Sequence, residues 1–104
     1  MNKKIISKIN KMLYELELPN INKTRYAHFS MISYKRWALH EIKDLLENNW
    51  TKNPFSLLEN LAYTFDDIAC SAKTIEKSFM FSVAYDTVYE VIDELIIINN
   101  KEDK

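Results

Sequence analysis

The chain has 104 residues, of which 47% are apolar and 12% aromatic; its net charge is −1, and it contains one cysteine and no glycine. That length and apolar share are enough for one core, so we expect a single helical domain over residues 1–104. A lone cysteine excludes an internal disulfide or a one-chain thiolate cluster, and the lack of glycine excludes the Gly-rich loops that cradle phosphates.

The longest apolar runs, such as Leu95 to Ile98, fall far short of the roughly 20 residues that span a bilayer. At the start, MNKKIISKIN is interrupted by Ser7, Lys8 and Asn10 before it reaches the length of a signal core. The expectation is a cytoplasmic protein without membrane contact. Charge is divided unevenly. Met1 to Lys52 holds ten Lys/Arg against five Asp/Glu, a net +5, whereas Asn53 to Asn100 holds two lysines against eight acids, a net −6. A basic half is thus joined to an acidic half.

In chain order, the first helix is predicted over 2–17. At about 100° per residue, Ile5, Ile6, Ile9, Met12, Leu13 and Leu16 fall within about 120° of arc. LPNIN follows, with Pro19 as the breaker. The second helix is predicted over 25–48, capped by Thr24 or Ser30, with Ala27, Met31, Ala38, Leu39, Ile42, Leu45 and Leu46 on its apolar side. Asn53-Pro54 then reads as an N-cap followed by proline in the first turn of a third helix, 54–70. Its buried face is Phe55, Leu57, Leu58, Leu61, Ala62, Phe65, Ile68 and Ala69, and Glu59, Asp66 and Asp67 point away.

After a turn at SAKT, capped by Ser71 or Thr74, the fourth helix is predicted over 75–98 with a frayed tail at about 99–104. Met80, Phe81, Ala84, Tyr85, Val88, Val91, Ile92, Leu95 and Ile96 cover about 160° of its surface, too broad an arc for one neighbour. It is expected to be the central helix. The fold class is all-α, a four-helix antiparallel bundle or two packed helical hairpins.

Two groups of residues are candidates for function. The stretch TRYAHFSMISYKRWALHEI interleaves aromatic and basic side chains, and Phe29, Arg36, Trp37 and His40 share a strip outside the apolar side of the second helix. Aromatics beside arginine are what protein interfaces use as anchors. Base stacking with phosphate contact would use the same residue types. Ordinary packing of Phe29 and Trp37 against the first helix is the competing explanation. Glu41, Asp44 and Glu47 dilute the charge of the strip, which argues against nucleic acid as the partner.

The second group is an acidic strip, Asp86, Glu90, Asp93 and Glu94, on one side of the fourth helix. Carboxylates at such spacing can hold a divalent cation, and Glu90-x-x-Asp93 matches half of the pattern used by all-α nucleotide pyrophosphohydrolases. Glu41-x-x-Asp44 matches the other half poorly, and its lysine and its distance along the chain set it apart. No Glu-x-x-His or His-Glu-x-x-His pattern accompanies His28 or His40. Cys70 reads as a small apolar helix residue.

Phe65-Asp66-Asp67-Ile68-Ala69-Cys70, Phe81-Ser82-Val83-Ala84-Tyr85-Asp86 and Val91-Ile92-Asp93 lie within Phe65 to Leu95. This segment resembles the C-terminal part of small uncharacterised phage and prophage accessory proteins of low-GC Gram-positive bacteria. The resemblance implies a role expressed through contact with host or phage proteins. The functional expectation is a non-enzymatic, cofactor-free protein-binding module that occupies or inhibits a host protein surface. Its partner would be a host or phage protein with a basic surface, or a second copy in a homodimer. A magnesium-dependent nucleotide pyrophosphohydrolase and a DNA- or RNA-binding regulator are the alternatives.

Overall fold

The computed structural model describes residues 2–17, 26–49 and 52–102, with side chains for 3–16, 31–49 and 52–101. Four helices account for nearly all of them: α1 (Asn2–Glu17), α2 (Tyr26–Glu47), α3 (Pro54–Ser71) and α4 (Ile75–Glu102). No strand occurs among the described residues.

The ends of α3 and α4 follow from local chemistry. Asn53 Oδ1 accepts the Phe55 N–H at 2.9 Å, satisfying one of the orphan donors of the first turn, and Pro54 occupies a first-turn position where its missing N–H costs nothing. Of the two cap candidates for α4, Thr74 serves: its Oγ1 accepts the Lys77 N–H at 3.1 Å. Ser71 instead closes α3, its hydroxyl donating to the Asp67 carbonyl at 2.8 Å. Ser30 lies inside α2, and Thr24 falls outside the described residues.

The apolar stripes meet in one core to which all four helices contribute. Ile5, Ile9, Leu39, Ile42, Leu46, Leu58, Val88, Val91 and Leu95 are all fully buried in it. α4 packs against each of the other three helices, as its broad apolar arc requires. Thr87 is the one buried polar side chain among the described residues, and its hydroxyl is satisfied by the Val83 carbonyl at 2.8 Å. The overall extents are 43 × 34 × 22 Å. The shortest is about two helix diameters, so every helix keeps one side on solvent.

Two expectations about these elements need correction. α4 continues to Glu102, past the expected end at 98, because adding polar residues to a formed helix costs little once the nucleus exists. Met31 and Ile96, assigned to buried faces, are each 42% exposed, since among the described residues no neighbouring helix covers them. Cys70, whose exposure the sequence leaves open, lies on solvent, its Sγ 3.8 Å from Asp66 Oδ1. The side chain of Ala27 lies outside the described residues.

Burial of Val88 at the centre of α4 makes a direct test. Val88→Asp is expected to lower stability by about 3–5 kcal/mol, the order for an uncompensated buried charge. Urea unfolding checks this, and an unchanged midpoint would place α4 at the periphery.

Candidate functional site

α2 carries aromatic and basic side chains on several sides, and the structure distributes them among different tasks. Trp37 is half-buried and meets two rings of the α3–α4 hairpin, Phe65 at 5.7 Å and Phe81 at 5.6 Å between centroids; those two are themselves 5.7 Å apart. The ring that sequence placed on a solvent-side strip is therefore a packing contact within the chain, with only its remaining edge open. Tyr34 lies edge-on to Phe79 at 5.8 Å and donates to Glu76 Oε1 at 3.2 Å. Lys35 reaches α4 and pairs with Glu90 at 2.6 Å.

Of the four contact candidates on α2, His40 is exposed and Arg36 is half-buried, its Nε enclosed without a hydrogen-bond partner among the described residues. The Phe29 side chain lies outside the described residues, as do Arg25 and the His28 side chain. Arg36, Trp37 and His40 are thus neighbours on one helix, but Trp37 is engaged in packing within the chain and Arg36 is half-buried, so His40 is the most open of the three.

The acidic strip is divided in the same way. Glu90 is held by Lys35, and Glu94 pairs with Lys8 of α1 at 3.6 Å. These two carboxylates, with Asp93, Glu15, Lys8 and Met12, line a shallow groove of 320 Å³ between α1 and α4. Asp86 and Asp93 are exposed and make no ion pair among the described residues. No three His, Cys, Asp or Glu side chains among the described residues are gathered in a way that could hold a metal ion. No described helix is long and apolar enough to cross a membrane.

A surface that sequence reasoning missed lies along the outer side of the α3–α4 hairpin. On α3, Glu59, Tyr63, Asp66 and Cys70 recur at spacings of four and three, which places them on one line of the helix, and all are exposed. Tyr63 is 71% exposed, unusual for so large a ring. On α4, Tyr85 and Tyr89 lie one turn apart and pack with tilted rings, centroids at 5.0 Å. The hydrogen bond between the two phenols, then partial desolvation, then the charge of Asp66 and Asp86 hold the Tyr85 phenol above its usual range. α3 and α4 pack directly against each other, and Asp66 lies within electrostatic reach of Tyr85 across them. The 4-3-4 spacing on α3 was the available signal. Along the chain alone, that spacing marks Glu59 and Asp66 only as residues turned away from the core.

The hairpin face has no cation of its own. Between Asn53 and Asn100 only Lys73 and Lys77 are basic, and both lie at the α3–α4 turn. Chemically, the arrangement offers phenol rings and hydroxyls among uncompensated carboxylates. Such a surface can receive lysine or arginine side chains through hydrogen bonds and cation–π contact.

Two measurements check these assignments. Trp37→Ala should destabilise by roughly 2–3 kcal/mol, less than for a fully enclosed ring, while His40→Ala stays within about 0.5 kcal/mol. Equal effects would remove the internal role of Trp37. In a spectrophotometric titration Tyr85 should ionise later than an ordinary phenol. Because its pKa is raised on folding, its contribution to stability is complete below the usual phenol range and is lost as pH rises through its own pKa. Tyr85→Phe should therefore delete a late-ionising phenol; deletion of an early one would contradict the geometry.

No protein-family model matches the chain, and comparisons with curated proteins and with solved structures find no similar protein.

Proposed function

We propose that the chain is a non-enzymatic helical protein-binding module whose α3–α4 face docks on a basic protein surface. In this reading it is a phage- or prophage-encoded accessory protein that acts in the cytoplasm by covering a surface of a host protein. The observation that carries the reading is the pairing pattern of the carboxylates. Lys8 and Lys35 neutralise the inner side of the acidic half, whereas Glu59, Asp67, Asp86 and Asp93 make no ion pair among the described residues. Complementary fields of this kind steer association and select partners. Tyr63, Tyr85 and Tyr89 supply rigid contact area at low entropic cost, as interface anchors do. The resemblance over Phe65 to Leu95 supports the biological setting, since that segment contains most of the face.

The test uses the protein as bait in lysate of a Gram-positive host, followed by purification of whatever it captures and measurement of affinity. The triple variant Asp66→Asn, Asp86→Asn, Asp93→Asn should weaken binding of the purified partner about 10- to 100-fold, and added salt should weaken the wild type in the same direction. Arg36→Ala with His40→Ala should leave affinity unchanged. Undiminished affinity in the triple variant would reject the proposal.

A further inference from the structure

The solvent side of α4 carries a second pattern. Ile75, Phe79, Asp86, Tyr89, Asp93 and Ile96 occupy heptad positions along the helix, the geometry by which one helix meets another. Ser82 stands between Phe79 and Asp86, and Phe79 also touches Tyr34 of α2. None of the six is buried: Ile75 is 91% exposed, Tyr89 and Ile96 42%, and Phe79 39%. Single exposed apolar residues are ordinary, but a row of them along a helix that already buries its opposite side forms a second contact face.

The carboxylates in the row decide what can cover it. A second copy of α4 would bring Asp86 and Asp93 into a seam without an unpaired cation, because the helix's own lysines, Lys77 and Lys101, stand at its two ends and the neighbouring Lys8 and Lys35 are already paired with Glu94 and Glu90. An enclosed carboxylate without a cation is costly in either helix direction. A helix bearing lysine or arginine at the matching positions removes that cost and also covers the apolar residues between.

We infer that this face receives a single amphipathic helix from the partner, with lysine or arginine opposite Asp86 and Asp93 and aliphatic side chains opposite Tyr89 and Ile96. The inference rests on the reading that the α3–α4 face binds a basic protein, and it gives that protein's contacting element a defined form. The docked helix lies along α4, with its apolar stripe on Tyr89 and Ile96 and its cations on the two aspartates.

The test uses two synthetic peptides of about 21 residues, three heptads, with identical composition of leucine, alanine, lysine and arginine. One places leucine and the cations on a single helical stripe complementary to the seam; the other is scrambled so that no stripe forms. Calorimetric titration of the full chain should show the striped peptide binding about tenfold or more tightly than the scrambled one. The paired change Tyr89→Ala, Ile96→Ala should reduce only the striped peptide's affinity, by about tenfold. Both residues are exposed, so circular dichroism should show the fold unchanged.

If both peptides bind equally and both are lost in Asp86→Asn, Asp93→Asn, the helical partner is overturned while the basic-partner reading stands. If neither peptide binds, the helical partner is again overturned, and affinity for the purified host protein judges the broader reading separately. A dimer of the free protein in sedimentation velocity, dissolved by Tyr89→Lys, would assign the face to a second copy and overturn the inference.

Discussion

The contact among Trp37, Phe65 and Phe81, each ring 5.6 to 5.7 Å from the other two, is where α2 is fastened to the α3–α4 hairpin. Aromatic clusters of this kind add about 0.5–1.5 kcal/mol per pair beyond their buried area, and their tilted geometry tolerates little rotation of the helices that carry them. With that contact made, Ala38, Leu39 and Ile42 face the core and His40 is left on solvent. The same contact sets the rotation of α4, since Phe81 can reach Trp37 only when Ala84, Val88 and Val91 are directed inward. The outer row of Asp86, Tyr89, Asp93 and Ile96 is the other side of that constraint.

Electrostatics then separates two kinds of acidic residue that look alike along the chain. Glu90 and Glu94 are used internally to bring α2 and α1 against α4, and half-exposed pairs of this type contribute at most about 1 kcal/mol each. Their effect is on orientation more than stability. Asp86 and Asp93 project from the same helix a few tens of degrees away and are left without ion pairs among the described residues. A strip of four carboxylates thereby becomes two structural links and two outward charges, the second pair flanked by tyrosines.

Much of the fold was legible in the sequence because it is written in short-range signals. The stripe Ile5, Ile9, Leu13, the Asn53-Pro54 start and the Thr74 cap each depend on residues within a few positions of one another, and the bounds of α1, α2 and α3 agree with them. The broad apolar arc of α4 correctly indicated a helix with several neighbours. What could not be read was which neighbour reaches each flank. Trp37 lies opposite the buried residues on the α2 wheel, yet the hairpin packs against that side too. Met31 and Ile96 sit on apolar arcs that no other helix covers among the described residues. The Lys35–Glu90 and Lys8–Glu94 pairs join distant parts of the chain, so no local pattern announces them. The tyrosine-bearing face exists only when α3 and α4 are side by side, whereas the strip on α2 lies within one segment of sequence.

The central claim is that contact with a partner is made through the outer face of the hairpin and not through α2. Backbone amide chemical-shift mapping of the labelled protein, titrated with its purified partner, tests this most directly. The account predicts that the largest shifts fall at Tyr63, Asp66, Asp86, Tyr89, Asp93 and Ile96, with Arg36, His40 and Glu41 unmoved. Shifts concentrated around Arg36 and His40, with the hairpin face silent, would contradict it.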